Sequence, residues 1–190
     1  MKRLLKTKYI IACILSLIGL ITLQNCERDD ICAESTATTP RLLVEFYDIS
    51  NTDDLKNVPR ITVYGEGLVT DPTVESDATL LYNVNANTVE LPLIIDIEGE
   101  TVTTRFVLEK DTNLRLDTDD TTNSNKDTIE IRYVPEFIFV SRACGYKSIF
   151  NSLDVVSVSD GDNWISSSSI EVLESETVEN ENTVHVKIYH

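Results

Sequence analysis

The chain reads as an all-β protein, an antiparallel β-sandwich of immunoglobulin-like type behind an N-terminal apolar helix. Three observations predict it. Apolar and polar residues alternate with period two along most of the sequence, turn residues return at short intervals, and no segment after the N-terminus carries a helical stripe. Alternation places one side of each strand in a core and the other in water, as in antiparallel sheets. Thr, Val and Ile abound and fit a pleated surface.

In chain order, Leu42, Val44 and Phe46 alternate with Leu43, Glu45 and Tyr47 as the first strand. Gly65-Glu66-Gly67 breaks two short strands. The apolar run at 91–97 and the strand Val102, Thr104, Phe106 and Leu108 flank Glu98-Gly99, which reads as a hairpin. In that strand Thr103, Arg105 and Glu109 face water. A polar loop at 117–127 precedes Ile129, Ile131 and Tyr133, and Pro135 separates that strand from the run 137–140. A strand around 155–158 ends at Asp160-Gly161-Asp162-Asn163. Ser166 to Ser169 reads as a loop. Val184, Val186 and Ile188 form the last strand, with His185 on its polar face. Short strands separated by turns suit a sandwich or barrel. The two cysteines favour the sandwich.

The N-terminus supplies an address. Lys2, Arg3, Lys6 and Lys8 lead into an apolar run at 9–23, followed by Cys26 and then Glu27, Arg28, Asp29 and Asp30. The run is about fifteen residues, short of the roughly twenty that span a bilayer and typical of a signal-peptide h-region. No A-x-A-like cleavage site follows it. Leu23-Gln24-Asn25-Cys26 instead resembles a bacterial lipobox, whose cysteine becomes N-terminal and acylated, with palmitate among the expected chains. Leu23 fits that pattern, whereas Gln24 and Asn25 replace the usual small residues. The alternative is an uncleaved anchor helix with an ordinary cysteine. Glu27, Asp29 and Asp30 resemble the export signal that sends Bacteroidota lipoproteins to the outer face of the outer membrane. The alternatives are a plain solvated linker and the periplasmic face. The expected boundaries are a signal peptide at 1–25, an acidic linker at 26–40 and the sandwich at 41–190.

Charge narrows the partners. The sequence holds 16 basic and 32 acidic residues, and the four basic residues before Cys26 leave with the signal. The mature chain then carries twelve against thirty-two, a net charge near −20. That repels phosphate backbones and excludes nucleic acid as an expected partner. It also disfavours docking of the whole body on anionic headgroups. Cys32 and Cys144 remain after Cys13 and Cys26 are accounted for, an even pair suited to a disulfide in an oxidising compartment. Two free thiols are the alternative. A C-x-x-C pair, which a redox motif or a cysteine zinc site would require, is absent from the sequence.

Candidate chemistry is sparse. Asp117, Asp119, Asp120 and Asp127, with Asn123 and Asn125, form the densest acidic segment and could supply oxygens to Ca²⁺, but EF-hand spacing is missing. A solvated loop is the competing reading, and Asp160, Asp162 and Asn163 are a weaker version. His185 and His190 are poorly spaced for a metal. No nucleophile elbow marks a serine, so no catalytic residue is assigned. Trp164 is a candidate sugar-stacking ring or a half-buried anchor.

The motifs Cys26-Glu27-Arg28-Asp29-Asp30-Ile31-Cys32, the strand from Thr39 to Asp48, Leu91-Pro92-Leu93, and Tyr133 followed by Phe139-Val140-Ser141-Arg142-Ala143-Cys144-Gly145-Tyr146 resemble a family of short Bacteroidota envelope lipoproteins known as a domain of unknown function. The likeness spans most of 26–150, with a generic tail after it. It implies outer-membrane attachment and a β-rich domain, and no activity. The expected function is a non-catalytic, lipid-anchored surface protein with no cofactor, meeting an unidentified protein or glycan. A glycan- or Ca²⁺-binding module and an unfamiliar hydrolase are the competing expectations.

Overall fold

A computed structural model describes residues 31–36, 38–119, 121–173 and 177–190. It divides into two units. Among the described residues the smaller comprises 31–36 with 140–145, and the larger comprises 38–139 with 146–190.

The strands are β1 (Leu42–Asp48), β2 (Asn51–Leu55), β3 (Val58–Gly65), β4 (Thr79–Ala86), β5 (Thr88–Leu91), β6 (Val102–Lys110), β7 (Asn125–Ser141), β8 (Gly145–Val158), β9 (Ile170–Val172) and β10 (Val186–Tyr189). Among the described residues one short helix, α1 (Thr112–Leu116), and a 3₁₀ turn (Ser167–Ser169) interrupt them. One sheet runs β2-β1-β10-β9 with β5 also on β1, and the other runs β4-β3-β6-β7-β8. The fold is an all-β sandwich.

The two inner faces build one core. Leu42, Val44, Phe46, Val186 and Ile188 come from the first sheet, and Ile61, Val63, Leu108, Ile129, Ile131 and Tyr133 from the second; all are fully buried. These are the apolar members of the alternating strands, so period two predicts the core directly.

The structure corrects four local expectations. First, pairing is not wholly antiparallel: β1 and β10 run parallel, with Val44 opposite Val186 and Phe46 opposite Ile188. Second, the turn at Glu98-Gly99 is not a hairpin, because β5 and β6 lie in different sheets. The strand before it stops at Leu91, where Pro92 removes a ladder donor. Ile94, Ile95 and Ile97 are left exposed. Third, Pro135 does not end a strand, and β7 runs through it. The β6 ladder stops at Val102 opposite Tyr133, so the missing N–H of Pro135 breaks no bond to β6. The Pro135 carbonyl is used, accepting from Gly99 N–H at 3.0 Å.

Fourth, His185 does not face water: it is buried. Its ring Nδ1 accepts the Leu43 N–H at 3.0 Å, and its backbone N–H donates to the Leu43 carbonyl at 3.0 Å. The ring thereby stands in for a backbone acceptor at the start of the parallel pair.

Candidate functional site

In the smaller unit, Cys32 and Cys144 are bonded, with Cα atoms 4.9 Å apart at a sequence separation of 112. Cys144 lies in the turn between β7 and β8. Its N–H donates to Ser141 Oγ at 3.0 Å, and Gly145 follows at a φ of 72°, which a side chain would resist. The expected lipid site Cys26 and the expected sorting residues Glu27, Asp29 and Asp30 lie outside the described residues.

Among the described residues, the expected cation residues Asp117, Asp119 and Asp127 form no metal-holding group. Asp117 and Asp119 are exposed and take up groups of their own loop. Asp117 Oδ1 accepts Asp119 N–H at 2.9 Å, and Asp119 Oδ1 accepts the Thr121 hydroxyl at 2.6 Å. The hydroxyl and then the backbone N–H of Thr121 hold Asp119 below its ordinary carboxylate value. Asp120 lies outside the described residues. Asp127 belongs to β7 and is fully buried. Asp160 accepts the Asp162 N–H at 3.0 Å as a local turn. Among the described residues no group of three or more His, Cys, Asp or Glu is arranged to hold a metal ion.

The aromatic and imidazole candidates are structural. Trp164 is half-buried; its Nε1–H donates to the Leu108 carbonyl at 3.3 Å, and its ring lies 6.3 Å from Phe46. Burial lowers the pKa of His185, whose Nδ1 is already engaged by Leu43. His190 is pinned rather than frayed: its N–H donates to the Tyr47 carbonyl at 3.0 Å, and its carbonyl accepts Lys56 Nζ at 2.8 Å.

Glu109, Asp127 and Glu130 are buried carboxylates that period-two reasoning missed, and the first two are fully enclosed. Glu109, read as solvent-facing, is fully buried. Arg115 of α1 grips both its oxygens, Nε to Oε1 at 2.6 Å and Nη2 to Oε2 at 2.9 Å. Ser124 Oγ donates to Oε1 at 2.5 Å, and Arg115 also donates to the Pro72 carbonyl at 2.9 Å. Residues 72, 109, 115 and 124 are thus held in one network. Asp127 Oδ2 accepts the Ile165 N–H at 2.5 Å, while its Oδ1 accepts no hydrogen bond. Burial pushes its pKa up, helped by the nearby Asp160 charge, against the Ile165 N–H and weaker contributions from the Asn163 side chain and the Trp164 N–H, which pull it down. A signal for the first was present in the sequence: a basic residue six positions beyond Glu109, in a short segment rich in Leu.

A cleft of about 600 Å³ is lined by Leu68, Pro92, Leu93, Ile94, Thr104 and Phe106, among others. Arg105 at its rim is engaged with Glu130, Nε to Oε2 at 2.7 Å, and with Glu66 at 3.5 Å. The Arg105 and then Arg132 side chains hold Glu130 below its ordinary value. The cleft presents largely apolar walls, with the Arg105–Glu130 ion pair beside it.

With this geometry in view, the comparisons are informative in one respect. Residues 60–190 match a family of unknown function, DUF6452. The chain belongs to that family. No curated protein and no solved structure matches the chain. The family therefore supplies kinship and no activity. Its span also redraws the expected likeness. The match begins at 60, so the Cys26 and Thr39–Asp48 motifs fall outside it. The tail after 150, read as generic, falls inside. In structural terms that tail carries β9, β10 and most of β8.

Proposed function

We propose that this member of the unknown-function family is a lipid-anchored envelope protein of Bacteroidota type, held at the outer membrane and exposed at the cell surface, where its sandwich serves interaction or assembly without catalysis. One observation carries the reading: the order basic residues, apolar run, Cys26, acidic residues. Export, lipidation and sorting each require one part of that order. The Cys32–Cys144 bond supports it, because structural disulfides persist in oxidising compartments. The buried titratable groups support the non-catalytic part. Glu109, Asp127 and His185 are each engaged in holding backbone or side chains of the fold. Two or more acyl chains give stable anchoring.

The test is intact mass of the detergent-extracted protein. An N-terminal Cys26 carrying acyl chains supports the anchor; an uncleaved chain or an unmodified cysteine sinks it. Surface display is tested separately by protease shaving of whole cells with Glu27, Asp29 and Asp30 replaced by Ala. Unchanged cleavage removes the sorting role.

A further inference from the structure

Acidic residues number 32, yet none lies from residue 137 to residue 153, where Arg142 and Lys147 do. The same stretch is the most openly aromatic surface of the larger unit. Tyr146 is 70% exposed, Phe139 57% and Phe137 37%. The rings of Phe139 and Tyr146 meet edge to face across β7 and β8 at 5.4 Å. A cross-strand aromatic pair helps a hairpin form, but that role does not call for exposed rings. The nearest carboxylates are engaged locally: Glu98 Oε1 accepts the Phe137 N–H at 2.9 Å and Glu136 Oε2 accepts the Asn151 side chain at 2.8 Å.

Chain connectivity says what faces this end. Tyr146 is two residues from Cys144, which is bonded to Cys32. Cys32 is six residues from Cys26, and at 3.3–3.6 Å per residue that linker reaches at most about 22 Å. An acylated Cys26 therefore keeps the β7–β8 hairpin end within a short reach of the bilayer, at high effective concentration.

We propose that Phe137, Phe139 and Tyr146 insert at the headgroup level of the bilayer that holds this chain's own lipid, with Lys147 exchanging its long 3.5 Å contact to the Glu179 carbonyl for the lipid phosphates. The proposal rests on the lipid-anchor reading. Aromatic rings with one wet edge partition to that depth, and a lysine stem lies along apolar surface while its ammonium reaches phosphate. The acid-rich remainder is repelled by anionic headgroups, which favours the end whose own sequence from 137 to 153 carries no acid.

The test uses the full acylated protein in vesicles of phosphatidylethanolamine with a minority of phosphatidylglycerol, their acyl chains brominated to quench nearby tryptophan. Reporters are Tyr146→Trp and, as a second position, Phe139→Trp, with Val158→Trp at the other end of β8 as the control. The native Trp164 gives the background. Tyr146→Trp and Phe139→Trp should shift to the blue and lose most of their added emission, while Val158→Trp keeps its own. Unquenched reporters at 146 and 139 on protein that floats with the vesicles and carries acyl mass overturn the docking and leave the anchor standing. Equal quenching at 158 overturns it too, since the protein then lies flat. Protein that neither floats nor carries acyl mass overturns both readings.

Discussion

Glu109 and Asp127 lie on neighbouring strands one register step apart, for Asp127 is opposite Leu108 and Glu109 opposite Lys126. Both are fully buried, and the protein holds them in different ways. Glu109 is met by a guanidinium, a serine hydroxyl and the turn that carries them. Asp127 is met by a backbone N–H on one oxygen and by no hydrogen bond on the other. The first arrangement ties distant loops through a charge pair. The second caps one orphan donor and leaves the carboxyl favouring its protonated form. A buried acid is thus a fastener where a cation can reach it and a pH-sensitive cap where none does.

The largest expected effect comes from breaking the fastener on one side. Arg115→Ala strands the Glu109 carboxylate in the core. Removing one partner of a buried pair costs about 3–5 kcal/mol, so thermal unfolding should drop sharply. A shift within the range of an ordinary surface substitution would mean that water or Lys126 takes over from Arg115. The double change Glu109→Met with Arg115→Met sharpens the point. Apolar residues of similar volume often replace a buried pair at little cost, so the double variant should recover most of the lost stability. If it is as unstable as Arg115→Ala, the network matters for its links to Pro72 and Ser124 rather than for its charge balance.

Asp127→Ala comes next. It leaves the Ile165 N–H buried and unpaired, an omission worth about 1–3 kcal/mol. Ile165 is itself fully buried, so water cannot readily replace the lost acceptor. Denaturant unfolding should show the loss as a lower midpoint with an unchanged slope.

Sequence reasoning reached these two acids unequally, and the reason is physical. Period two placed Leu42, Val44, Phe46, Ile129, Ile131, Tyr133, Val186 and Ile188 correctly inside, because nothing competes with hydrophobic burial on those faces. The same rule put Glu109 and His185 outside. Each is buried by a specific partner far from it along the chain or on a different element: Arg115 on a five-residue helix that no periodicity can reveal, and Leu43 on the parallel neighbour of the last strand. Asp127 was read as part of an acidic loop because charge density is visible in sequence and strand start points are not. β7 begins at Asn125 and carries Asp127 away from Asp117 and Asp119. The disulfide was legible from cysteine parity, whereas the exposed rings of Phe139 and Tyr146 were not, since they sit in the same alternating pattern as core strands.

The smallest effect is the pH dependence of the cap, and it separates the two acids most directly. The folded pKa of Asp127 is raised above its ordinary 3.8, chiefly by burial. The folded state therefore binds that proton more tightly than the unfolded state. Its contribution is fully present below 3.8 and is lost as pH climbs from there through the folded value, after which it is constant. Glu130 and Asp71, held low by Arg105 and by Lys126, act in the opposite sense and lose their contribution as pH falls through their folded values. The wild-type curve mixes these terms. Asp127→Asn removes one of them while keeping an acceptor for Ile165. The stability of Asp127→Asn minus that of wild type should rise with pH above 3.8 and then level off. A difference that is flat across that window would mean Asp127 titrates alike in both states, and that the unpartnered oxygen is solvated after all.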